Sequence, residues 1–336
     1  MPVYPGALCP ASPNSGFLGS DPHRISLSES SRYLYVGLDG ANAIEQLTLP
    51  GFAANASWNL GSDSFDGPYY ALDLQAAPAA AQTTAVALGA FNISPASEGV
   101  VIYDGATPRP TELNSFQYPY SSLQWAGNDS SLYSVDGEAP QDFLTLGVST
   151  SGVVLTQHEN ALLQSYSSSI HYDPGAGLVY ADGGQVIQPS SGTIAGSFGV
   201  SGIAVPDSTL NRVFILGQTT AQSGTSSYTI ESFDQTTFAS IAAVTIDNVV
   251  GVPTGLIRWG SNGLAFTTIA GFLSQEIWTG PGQLYVIAGS FVNPSGSESR
   301  PATKGPLLPV RKTWDLKAVP TNHHVPPVVH ETPLRQ

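Results

Sequence analysis

The chain has 336 residues, with 35 glycines, 26 prolines and only 11% charged residues, far below the ~25% of an ordinary globular domain. No run of 18 consecutive apolar residues occurs, which excludes a transmembrane helix, and a hydrophobic content of 41% suffices for a core and argues against disorder throughout. Residues 1–296 hold five arginines, no lysine and 22 carboxylates, a formal charge of −17, and so acidic a body repels phosphate backbones and disfavours nucleic acid as a partner, so none is expected.

In chain order, Met1–Gly19 has neither a basic leading region nor a continuous apolar stretch, so no export signal is expected. The single cysteine, Cys9, excludes an intrachain disulfide framework and any cysteine-based zinc site. From Pro22 onward two short strands separated by a turn recur. The first pair is Ile25–Leu27 with Tyr33–Val36, the second Leu72–Leu74 with Ala85–Leu88, and the third Leu123–Trp125 with Leu132–Tyr133. Ile170–Tyr172 with Leu178–Tyr180, Ile203–Val205 with Val213–Leu216, and Ile257–Trp259 with Leu264–Phe266 follow. The apolar-x-apolar triplets are the period-2 signal of strands. Their spacing averages about 46 residues, room for four short strands and their turns, which is the unit of a β-propeller blade.

The expected fold is therefore all-β, a β-propeller of six or seven four-stranded blades. Residues 21–292 form the propeller and 1–20 an N-terminal segment too short for a blade, the remnant of a seventh in the alternative that Gln283–Ile287 closes a seven-bladed ring. The 33-residue fourth interval demands very short strands, and the polar stretch Gly217–Ser227 reads as a long surface loop. Residues 293–336, rich in proline and abruptly basic, read as a disordered tail.

Two segments carry a family resemblance. Phe17–Pro22, Ile25–Ser28 and Tyr33–Gly40 together resemble the repeat of bacterial extracytoplasmic YVTN/YncE-type β-propellers, and Leu256–Phe266 is similar to the closing repeat of a secreted or surface subset of such proteins. The resemblance spans residues 17–292. It implies a propeller located outside the cytoplasm, secreted or on the cell surface, although this chain lacks the export signal of that family. Some relatives are called lactonases on fold analogy.

Local motifs for chemistry are missing: there is no Gly-x-Ser-x-Gly elbow, His-Glu-x-x-His, phosphate-binding loop or dinucleotide fingerprint. His158-Glu159 reads as a solvated turn. A propeller can still converge aligned inner-strand positions on one site. At those positions Tyr69, Tyr70 and Tyr120 offer stacking surfaces, and Arg24 and Arg258 offer to receive an anion. Asp73 lies among them, with an Arg258–Asp73 structural pair as the alternative, and His171 is the one inner-strand general base on offer. Asp39, Asp104, Asp136 and Asp182 precede glycine and read as turn formers. For a metal, Asp63 and Asp66 in the acidic Gly61–Gly67 segment are the best local candidates, and calcium is the ion their oxygens suit. No cofactor is otherwise expected. The functional expectation is a non-enzymatic binding or scaffold module, monomeric, not inserted in a membrane, and meeting a protein or glycan. The alternative is a lactonase- or lyase-like enzyme acting at the channel mouth.

Overall fold

A computed structural model describes residues 18, 20–91, 93–114, 119–137, 140–221, 226–269, 283–294, 312–313 and 329–332. The chain divides into two compact units, Val3–Ala195 and Gly196–Gln336 with Met1–Pro2.

The first unit contains three sheets and all but the last two residues of a fourth, in chain order. Sheet one is β1 (Pro22–Leu27), β2 (Tyr33–Leu38), β3 (Ala43–Thr48) and β4 (Ala53–Asn59), each paired with the next. Sheet two comprises β5 (Ser62–Asp63), β6 (Gly67–Ala76), β7 (Thr83–Ala90), β8 (Ser97–Asp104), β9 (Thr107–Pro108) and β10 (Leu113–Asn114), in the order β10-β8-β7-β6-β5 with β9 on β8. Sheet three is β11 (Ser122–Trp125), β12 (Ser131–Val135), β13 (Gln141–Ser149) and β14 (Gly152–Leu163). Sheet four is β15 (Ile170–Asp173), β16 (Leu178–Ala181), β17 (Gln185–Gln188) and β18 (Thr193–Ser197), short strands that fit the 33-residue interval.

The second unit holds sheets five and six. Sheet five is β19 (Ile203–Asp207), β20 (Arg212–Ala221), β21 (Ser226–Asp234) and β22 (Ser240–Val249); sheet six is β23 (Val252–Trp259), β24 (Gly263–Ile269) and β25 (Gln283–Ala288). Two short pieces of the C-terminal tail are also strands. Lys312–Thr313 (β26) pairs with β25, and Val329–Thr332 (β27) pairs with β22. An outermost strand presents unpaired N–H and C=O groups, and these two pieces meet them. Most of residues 1–20, and the rest of the tail, lie outside the described residues.

Six mostly four-stranded antiparallel sheets, each meandering outward from its first strand, make this an all-β, six-bladed β-propeller. Two expectations need correction. Gln283–Ile287 does not close a seventh blade: it pairs with β24 from Gln283↔Thr268 to Ala288↔Gly263 and is the third strand of sheet six. Gly217–Ser227 is not a long loop either, because β20 and β21 continue into it as far as Ala221↔Ser226. Its Thr and Ser residues suit a pleated ladder, and Thr219 and Thr229 join their hydroxyls across it at 2.6 Å.

The core lies between sheets, and alternation along single strands builds it. Every residue of β7 is buried. Ala85 and Ala87 point into the cluster shared with Leu123, Leu132 and Leu144 of sheet three, whereas Val86 and Leu88 point into the one shared with Tyr35, Ile44 and Trp58 of sheet one. β8 repeats the division, with Val100 and Ile102 on one side and Val101 and Tyr103 on the other. A strand buried on both faces reads as a near-continuous apolar run, and Ala85–Leu88 and Val100–Tyr103 are such runs. In the second unit Phe214, Ile230 and Val244 of sheet five pack with Leu256, Leu264 and Phe266 of sheet six.

Candidate functional site

The candidate site is the end of the first unit at which the inner strands β1, β6, β11 and β15 begin and their partners β2, β7, β12 and β16 end. Register places Leu38, Ala90, Val135 and Ala181 at or beside that end. The next residue in three of the four sheets is aspartate. Asp39, Asp136 and Asp182 are 7%, 9% and 8% exposed; Asp39 and Asp182 form turns, as expected of Asp-Gly, and all three carboxylates are buried.

Each has a local function. Asp39 opens a one-turn 3-10 segment, and its Oδ2 lies 2.8 Å from Nδ1 of His23. Asp136 Oδ1 accepts the Asp142 N–H, and its carbonyl accepts from Ser121 Oγ and Gln141 Nε2. Asp182 receives His171 Nε2 on Oδ1 at 2.9 Å and Ser168 Oγ on Oδ2 at 3.1 Å. In a hydrolytic triad the histidine bridges nucleophile and carboxylate. Here the carboxylate is the shared hub, and it holds both side chains.

The inner-strand polar residues turn out to join neighbouring sheets. Ser26 Oγ accepts the Ala76 N–H at 2.8 Å, and Arg24 Nε donates to Leu72 O at 2.8 Å, both from β1 to β6. Asp73 Oδ2 accepts the Leu123 N–H of β11 at 2.7 Å while its Oδ1 takes its neighbour's, Leu74 N–H. Ser122 Oγ accepts the Ile170 N–H of β15 at 3.3 Å. Because Ser26 and Arg24 turn toward β6, the apolar residue between them, Ile25, turns away and is 67% exposed. The same device recurs in the second unit, where Arg258 Nε donates to Asp207 Oδ2 at 2.6 Å and Nη1 to Gly263 O. Arg258 is therefore paired with Asp207 and not with Asp73. Burial pushes the Asp207 carboxyl up, but bonds from Thr209 and Arg258 outweigh it and leave the pKa lowered.

Arg24 and Tyr70 are one pair of sequence candidates brought together. Tyr70 is buried, and burial raises its phenol pKa; the Asp39 carboxylate adds to the rise and the Arg24 guanidinium opposes it. Its ring stacks on Phe91 with centroids 4.4 Å apart and planes at 21°. Glycine makes this approach available: a β-carbon on Gly89 would lie 2.8 Å from Tyr70 Cζ, and one on Gly37 would lie 2.9 Å from Ala71 Cβ. Phe91 was not legible as part of a site, since it follows its strand and shares no motif with Tyr70.

The remaining candidates lie elsewhere. Tyr120 is 1% exposed within the core between sheets two and three and presents no stacking surface. Tyr69 packs, partly buried, against the core cluster of sheets one and two; burial raises its pKa, with Glu98, Asp63, Glu112 and Asp66 adding to it. Asp63 Oδ1 accepts the N–H groups of Phe65 and Asp66, which hold its pKa low and make the acidic segment a tight hairpin tip. Among the described residues no three His, Cys, Asp or Glu side chains are grouped to hold a metal. His158-Glu159 is not a turn: both residues lie in β14, where His158 Nε2 sits 2.6 Å from Asp142 Oδ2.

No family model matches the chain, and no curated protein matches it. Solved structures do. A structure of U3-55K superposes with a TM-score of 0.54 at 8% identity, covering 81% of this chain and 78% of that one. Dihydro-heme d1 dehydrogenase NirN in complex with DHE gives a TM-score of 0.49 at 11% identity; the match covers 81% of this chain but only 55% of that protein. At these identities the first likeness concerns the fold alone.

Proposed function

We propose that this protein is a non-enzymatic, extracytoplasmic binding or scaffold module of the YVTN/YncE-type propellers, acting as a monomer and meeting a protein or glycan partner through its loops. One observation carries the reading: the side chains that chemistry would recruit are engaged in holding the structure. Asp73 joins β6 to β11 and Arg258 is held by Asp207. A general base needs a free acceptor aimed at its substrate, and an aspartate that caps a neighbouring strand's N–H serves geometry instead.

A labelled, purified chain applied to a glycan array, with lactone hydrolysis measured in parallel, tests this. Saturable glycan capture without turnover is the expected result. Lactone hydrolysis abolished by His171→Ala would overturn the reading in favour of the lactonase-like alternative.

A further inference from the structure

We propose that Arg24 anchors a binding site for a small monocarboxylate bearing a flat apolar group, a ligand beyond the protein or glycan partner of the binding-module reading. The argument begins with scarcity. Residues 1–296 set five arginines against 22 carboxylates, so an arginine there has acids in excess to pair with. Arg109 is bonded to Asp104 and Arg258 to Asp207. Arg212 donates to Phe291 O and Ser232 Oγ, and Arg32 lies over the Tyr33 ring, 5.1 Å from its centroid. Arg24 makes no ion pair among the described residues, and its hydrogen bond there is the one from Nε to Leu72 O.

That bond is what makes the residue useful. A guanidinium carries five N–H donors in a planar fork. Fixing Nε on the β6 backbone sets the plane and leaves the edge formed by Nη1 and Nη2, which matches the two oxygens of a carboxylate. The side chain is half-buried, crossing from β1 to β6 beside the small residues Gly37 and Ala71, so much of its rotamer freedom is already lost before a ligand arrives.

The surroundings select among anions. Tyr70, two residues along β6 from the carbonyl that Arg24 bonds, stacks on Phe91, and Phe91 is 48% exposed. A cation beside a partly open aromatic surface suits a ligand with one anionic end and one flat apolar end. The −17 body and the nearby Asp39 repel an anion in proportion to its charge. A carboxylate obtains the same two-pronged bond as a phosphate with about half the repulsion, so the site favours the monoanion.

Fluorine NMR of the full chain with 4-fluorobenzoate as probe tests the site, with 4-fluorobenzamide as its neutral counterpart and inorganic phosphate as competitor. The benzoate is expected to bind and the benzamide not, with phosphate competing weakly. Arg24→Gln should weaken benzoate binding at least about tenfold. Arg24→Lys keeps the charge without the fork and should also weaken it, and it serves if the glutamine variant fails to fold. Equal binding of both probes, phosphate competing as well as benzoate, no binding at all, or binding unchanged in folded Arg24 variants would each overturn the proposal. Those failures leave glycan capture untouched, whereas lactone turnover would sink the module reading and leave the anion site standing.

Discussion

Asp207 and Arg258 show what a single pair contributes. Bonds from Thr209 and Arg258 lower the Asp207 pKa against the opposing effect of burial, so its folded value lies below the ~3.9 of an unfolded aspartate. A depressed carboxyl stabilises the fold above the unfolded pKa, and that contribution is lost as pH falls through the folded one. Asp207→Asn should therefore lower Tm at pH 7, with the gap to the parent protein closing below about pH 4. Thermal melts across that range check it, and a gap that stays constant down to the acid limb would show that the charge is irrelevant. The importance of Arg258 could be inferred from the sequence, because an arginine is rare in this body. Its partner could not: Asp73 and Asp207 are equally aspartates in inner strands, and only the pairing of sheets five and six brings Asp207 to it.

Strands are where sequence and structure agree most closely. All six expected strand pairs form, since a two-residue alternation is visible within four or five residues. What alternation does not reveal is that the polar residues bond to the next sheet. The bonds from Arg24, Ser26, Asp73 and Ser122 span 48, 50, 50 and 48 residues, close to the repeat length, because each joins one inner strand to the next. Asp73→Ala would leave the Leu123 N–H without its acceptor, and an unsatisfied buried donor costs roughly 1–3 kcal/mol. Urea unfolding should show a loss of that order, most of it recovered by Asp73→Asn, which keeps an oxygen in place. A loss under about 0.5 kcal/mol, within the range of a surface change, would mean that water replaces the bond.

At the scale of the molecule, charge is the dominant property. An acidic body repels a polyanion at every encounter, so no retardation of duplex DNA is expected even at about 50 mM salt, where basic surfaces bind best. Gel mobility measures this directly, and a shifted band would require a basic surface formed by the six lysines and arginines of the last forty residues. Charge and strand period were determined by the sequence alone, because each is a sum or a short-range pattern along the chain, whereas the choice between six and seven blades was decided by the pairing of Gln283–Ala288 with β24. Tertiary structure alone decided that His171 bonds Asp182, that Tyr120 is core, and that Arg24 bonds the Leu72 carbonyl. Those outcomes depend on which side chains meet, His171 and Asp182 across one hairpin eleven residues apart and Arg24 and Leu72 across two sheets forty-eight residues apart, and such contact is set by register and packing, which no local pattern records.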